Sequence, residues 1–264
     1  MNVSIKNVIE ALTTPAVPIE NNVDELQFGN PNTVVTGIAT TFLATQEVIE
    51  KAKALGINLI ISHEGIFYSH RFNSKIAEDN KVYKKKCQTL KESGIAIYRY
   101  HDYPHRYAPD AITAGLLKKL GFEDYEVENR QIASILEIPQ MTVKEVITHI
   151  KNKLGISNIR FTGDLSMPCR RAGILVGYRG SGEVAIPLFE KENLDIVIYG
   201  EGPEWETPEY VRDAIYQGQN KALIVLGHRE SEAAAMEYLV KELQNKFPDV
   251  PVKFIAETPV FKTI

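Results

Sequence analysis

Cysteine is scarce in this 264-residue chain: Cys87 and Cys169 are the only two, far apart and in no CxxC pair. That excludes a disulfide framework and fits a reducing cytosol. Excess positive charge is also missing. The 30 Lys and Arg against 34 Asp and Glu leave a net charge of −4 and a pI near 5.9, which argues against nucleic acid as a partner. The one dense cationic run, Lys84-Lys85-Lys86, reads as the solvated face of a helix. Long apolar runs are absent too. The opening Met-Asn-Val-Ser-Ile-Lys has no signal-peptide core, and no stretch approaches the roughly 20 apolar residues of a membrane span. No fixed-period repeat, low-complexity segment, GxSxG elbow or Walker Lys-Ser/Thr pair occurs. The expectation is a soluble cytoplasmic protein.

What is present is ordinary globular material, 44% hydrophobic and 24% charged, enough for one large α/β domain or two lobes. Strand-like runs alternate with helical patterns. Strands are expected at Val34–Phe42, Asn58–Ile61 and Ile95–Tyr100, with helices at Thr45–Leu55, Lys75–Glu92 and Pro109–Leu120. Near Tyr125 the pattern changes to one longer strand, Val127–Ile138. A capping box, Thr142-Val-Lys-Glu145, then opens a helix with Val143, Ile147, Ile150 and Leu154 on its apolar face. Further strands are expected at Ile159–Thr162, Ala172–Val176, Asp195–Tyr199 and Ala222–Leu226. A helix over Ser231–Asn245 and a strand at Val252–Ala256 follow. This predicts an α/β fold of two lobes, with mixed, largely parallel sheets flanked by helices. The first lobe takes residues 1–125 plus 221–264, and the second 126–220.

In open α/β sheets ligands gather at the carboxyl ends of strands. Four of the six histidines fall there: His63, His101 with His105 four residues on, and His228. Carboxylates accompany them, at Glu64, Asp102, Glu230 and Glu232. His228 and Glu232 are spaced i, i+4 at the start of a strong helix, so one face can present both to a cation. His70 and His149 read as solvated. The turn Gly177-Tyr-Arg-Gly-Ser-Gly182 reads as a tight turn, or alternatively as a cradle for an anion.

Three segments, Asn22 through Gly29, Leu59-Ile-Ile-Ser-His63-Glu-Gly, and Gly227-His-Arg-Glu-Ser-Glu232, resemble the dinuclear metal-centre family, Nif3-like proteins often called GTP cyclohydrolase 1 type 2 homologues. The resemblance runs along nearly the whole chain. It implies metal ligands at His63, Glu64, His105, His228 and Glu232, with His101 ligating or orienting a ligand. Glu64 stands where that family usually has a second His, and His105 where it has Asp. The count of three imidazoles and two carboxylates is unchanged, but an imidazole has one free lone pair and is a poor two-metal bridge. Glu64 or Glu232 would have to bridge instead. The resemblance further implies homohexameric rings.

Mixed imidazole and carboxylate donors favour two divalent transition-metal ions, zinc, iron or manganese. The expected activity is hydrolysis of a small-molecule substrate, nucleotide-like or a cyclic amide or phosphate ester, by a metal-activated water, with Glu201 as candidate general base. The alternative is a non-catalytic, metal-dependent scaffold or regulatory binding protein.

Overall fold

The computed structural model of the chain describes residues 2–16, 19–71 and 73–262. Its elements begin with α1 (Ile5–Thr13), β1 (Leu26–Phe28), β2 (Ile38–Thr41), α2 (Gln46–Ala54), β3 (Leu59–Ser62), α3 (Ser74–Ala77), α4 (Lys81–Ser93) and β4 (Ala96–Arg99). Then come α5 (Ala111–Leu120), β5 (Glu126–Asn129), β6 (Ser134–Thr142), α6 (Val143–Leu154), β7 (Arg160–Thr162) and β8 (Pro168–Leu175). Last are α7 (Gly182–Lys191), β9 (Ile196–Tyr199), α8 (Thr207–Tyr216), β10 (Ala222–Val225), α9 (His228–Lys246) and β11 (Val252–Phe254).

Two compact units form, Met1–Tyr107 with Met236–Lys262, and Ala108–Ala235. The expected boundaries at 126 and 220 lie inward of these, for a packing reason. The apolar face of α5 (Ile112, Leu116, Leu117, Leu120) packs with Leu136, Ile174 and Ile198 of the second sheet. β10 is hydrogen-bonded in that sheet between β9 and β7.

The first unit holds the sheet β1-β4-β3-β2-β11, parallel except for the antiparallel edge strand β1. Side chains alternate across it, as the two-residue strand period requires. Leu59 and Ile61 face Ile5, Val8 and Leu12 of α1 and Met236, Leu239 and Leu243 of α9. Ile60 and Ile97 face Val48, Ile49 and Ala52 of α2 and Leu90 of α4. Burial on both faces is why these short strands read as unbroken apolar runs.

The second unit holds the sheet β5-β6-β8-β9-β10-β7. Its centre, β8-β9-β10, is parallel, while β5, β6 and β7 run antiparallel to their neighbours. Ile196 and Ile198 join the core under α5 and α6; Val197 and Tyr199 join the one with Phe189 of α7 and Val211 of α8. The fold is thus mixed α/β, two sheets of mixed strand orientation flanked by helices. Among the described residues no helix is long and apolar enough to cross a membrane.

Local chemistry overrode periodicity at several places. The expected helix 75–92 breaks into α3 and α4, because Asp79 takes a positive φ of 54° and the Asn80 side chain caps α4 by accepting from the Tyr83 N–H. The expected strand 127–138 is a hairpin, β5 and β6, with Arg130 and Ala133 bonded across its turn. The expected strand at 34–42 shortens to β2, and Val34 makes only an isolated bridge to Ser4. Helix α1 was not anticipated, although Ser4 and Asn7 form a capping box at its start. Lys86, expected in solvent, is buried. It donates to the Ile66 carbonyl at 2.8 Å and lies against the rings of Phe67 and Tyr68. Burial lowers its pKa to about 8.

Candidate metal centre

β3 and β4 are parallel neighbours with Ser62 paired to Arg99, so both strands leave the sheet at the same edge. His63 and Glu64 follow one strand there, and His101 and Asp102 the other. His63 is fully buried, with Nδ1 3.0 Å from the Tyr100 carbonyl oxygen. A carbonyl only accepts, so the proton sits on Nδ1 and Nε2 becomes the ring's electron-pair donor. A 3-10 turn at Pro104–Arg106 brings in His105. The His63 and His101 rings stack at 4.7 Å, with His105 edge-on to them at 5.2 and 5.3 Å. Ligand atoms of these three residues lie within 4.8 Å of one another.

Glu64 completes this edge. Its Oε2 accepts from Nη2 of the buried Arg99 at 3.0 Å, and its Oε1 is 3.5 Å from His101 Nε2. Burial alone would raise the Glu64 pKa. The hydrogen bond and charge of His101, with the charges of His63 and Arg99, outweigh it and hold the carboxyl down at about 2. Burial likewise opposes charge on His101, but hydrogen bonds to Asp102, at 2.8 Å, and to Glu64 raise it to about 9. The His101 bond in turn lowers Asp102 to about 2.

Three residues at this edge were not singled out from sequence. Asp24 accepts from the backbone N–H groups of His101, Asp102 and Tyr103 at 2.7–3.0 Å and so shapes the loop that carries the histidines. Arg99 binds Glu64 and donates to both the carbonyl and Nδ1 of His70. His70, expected to be merely solvated, is exposed yet has a ligand atom within 4.8 Å of those of Glu64 and His101. Because its Nδ1 accepts from Arg99, its proton belongs on Nε2. The one sequence signal for Arg99 is its charge inside the otherwise apolar run expected as the strand Ile95–Tyr100.

The second unit carries a donor pair of its own. Helix α9 starts at His228, three residues ahead of the expected Ser231, so the i, i+4 pair straddles its first turn. His228 Nε2 is 3.1 Å from Glu232 Oε2, and Nδ1 is 2.9 Å from Glu201 Oε1. Ser231 Oγ accepts from the Gly177 N–H at 2.9 Å, seating the glycine turn against the helix. Gly177 has φ +58°, and a Cβ there would come within 2.2 Å of Glu232 Oε1 and 3.2 Å of His228 Nε2. The turn therefore leaves the space beside both donors empty of side chain.

Two expectations change here. The cradle formed by the turn takes its anion from the chain itself: the Gly182 N–H at the start of α7 donates to Glu206 Oε2 at 2.6 Å. His149 is no solvated residue either. It stacks on Phe122 at 4.8 Å and its Nε2 donates to the Leu120 carbonyl at 2.7 Å, satisfying the end of α5.

Histidine and acidic clusters of this kind can hold metal ions. The donors fit a metal ion on three grounds. They are imidazole and carboxylate; the His63 tautomer is set by a carbonyl; and Gly177 keeps a cradle clear that a Cβ would fill.

Comparison with known proteins accords with this geometry. The family model described as Duf34/NIF3 (NGG1p interacting factor 3) matches residues 3–259. A protein of Clostridium perfringens named GTP cyclohydrolase 1 type 2 homolog is 27% identical over 265 residues, covering 95% of this chain and 94% of that one. Among solved structures, a Bacillus cereus protein related to NIF3 superposes with a TM-score of 0.79 at 14% identity, covering 100% of both chains. The Staphylococcus aureus hypothetical protein SA1388 does so at 0.75 and 19%, again over 100% of both. At such identities these two structures speak for the fold alone.

Proposed function

Since the chain belongs to the Duf34/NIF3 family and gathers imidazoles at one sheet edge, we propose that it is a metal-dependent hydrolase of a small molecule. The observation that carries this reading is the convergence of His63, His101 and His105, with ligand atoms within 4.8 Å of one another. These three, with Glu64, would hold one divalent ion, and His228 with Glu232 would contribute to holding a second, in the dinuclear arrangement that the sequence resemblance implies. Such ions supply Lewis acidity and bring the pKa of a water to roughly 7.

The chain's own groups prepare that chemistry. The Tyr100 carbonyl aims His63, Asp102 orients His101, and Arg99 holds Glu64 in place. The names of the relatives make nucleotides a sensible first substrate class, followed by phosphate esters and cyclic amides. Cytoplasmic location and a homohexameric assembly are part of the same proposal.

The test is elemental analysis of the purified protein, then a substrate screen of the zinc-, iron- and manganese-loaded forms. About two ions per chain and turnover of one substrate class, both lost on chelation, are expected. A protein that takes up none of these metals overturns the proposal. Full loading without turnover across the screen would favour the scaffold alternative.

A further inference from the structure

The second unit contains a carboxylate that the donor pair does not account for. Glu201 follows β9 and the intervening Gly200, and its Oε1 lies 2.9 Å from His228 Nδ1. Its backbone is pinned on both sides by the glycine turn. The Glu201 N–H donates to the Gly177 carbonyl at 2.9 Å, and the Gly180 N–H donates to the Glu201 carbonyl at 3.0 Å. Gly200 permits this approach, since a Cβ there would come within 2.6 Å of the Gly177 carbonyl oxygen and 2.5 Å of Ser231 Oγ.

A carboxylate accepts and cannot donate, so Glu201 keeps a proton on Nδ1 of His228. That turns the electron pair of Nε2 toward Glu232 Oε2, 3.1 Å away. Two such atoms at that distance can share a metal cation in place of a proton. We infer that Glu201 is a positioning residue: it selects the His228 tautomer and ring orientation that make His228 Nε2 and Glu232 Oε2 a cation site. This rests on the metal reading above and replaces the sequence-based expectation that Glu201 is a general base. Its carboxylate is committed to an imidazole N–H, and its strand-end backbone gives it a fixed aim.

The Glu201 side chain is 43% exposed, so its replacement should leave the fold intact. The full chain and its Glu201→Ala and Glu201→Gln variants would be titrated with zinc against a chromophoric chelator. Imidazole 15N shifts of His228 would be recorded for each loaded form, assigned by their loss in His228→Ala. Glu201→Ala should weaken zinc binding about 10–100-fold, the usual effect of removing a ligand-orienting partner, and should mix the His228 tautomers without a matching loss of melting temperature. Glu201→Gln, whose amide oxygen still accepts from Nδ1, should restore the single tautomer and most of the affinity. Wild-type affinity and tautomer in Glu201→Ala would overturn the inference alone. A wild-type chain that binds no zinc would overturn the metal reading and the inference with it.

Discussion

The buried guanidinium of Arg99 donates to Glu64 Oε2 across 3.0 Å, from the last residue of the strand beside the one that Glu64 follows. One carboxylate oxygen is thereby committed to a cation belonging to the protein, and the other turns toward His101. The chain replaces the expected second histidine of its Ser-His-Glu motif with an acid, and its structure supplies a positive partner for that acid. A bridging role for Glu64 would have to compete with Arg99.

Breaking this pair from either side should be costly, because each variant takes from a largely buried charge its partner at 3.0 Å. Arg99→Met and Glu64→Gln should each destabilise the protein by about 3 kcal/mol. The double variant should cost less than the two singles summed, by about 0.5–3 kcal/mol. Urea unfolding of the four proteins checks this, and strictly additive losses would show the contact to be energetically idle.

The histidines at the first sheet edge should not be equivalent. His105→Ala removes one of the three converging imidazoles and should lower bound metal by about one ion per chain. His70→Ala should leave loading unchanged, since His70 Nδ1 already accepts from Arg99. Elemental analysis after dialysis against limiting zinc separates the two, and equal losses would mean that His70 ligates directly.

Gly177→Ala should damage the second donor pair without replacing either of its side chains. A methyl group would press on Glu232 Oε1 and His228 Nε2, and the positive φ adds strain of about 1–2 kcal/mol. The expected result is a lowered melting temperature together with weakened zinc binding. A variant with normal affinity would show that the empty space beside the pair is not needed.

Lys86 makes stability depend on pH. Its folded pKa, about 8, lies below the 10.5 of a free lysine, so the unfolded chain binds more protons between these values. The cost of burying the ammonium is full below about pH 8 and is relieved as pH rises toward 10.5. Lys86→Met removes that dependence. Its stability relative to wild type should therefore fall by about 2 kcal/mol between pH 7.5 and pH 10. Unfolding curves for the two proteins that stay parallel across this range would refute the assignment.

The sequence by itself determined those features that depend on neighbours along the chain. Apolar runs placed β3, β4, β9 and β10, and the Thr142/Glu145 capping box placed the start of α6. The i, i+4 spacing put His228 and Glu232 on one turn, and the strand-end rule gathered His63 and His101. Where short-range signals competed, as at Asp79-Asn80 and at the Arg130–Ala133 turn, the local breaks prevailed over periodicity. Only the tertiary structure decided what rests on distant contacts. Parallel pairing of β3 with β4 set Arg99 against Glu64, 35 positions away, and antiparallel pairing of β1 with β4 set Asp24 under the His101 loop, 77 positions away. Helix packing buried Lys86 and stacked His149 on Phe122. Hydrogen bonding of β10 into the second sheet put its strand in the second unit. Such partners carry no periodic signal, because their spacing along the chain is set by loop length while their spacing in the fold is set by the sheet.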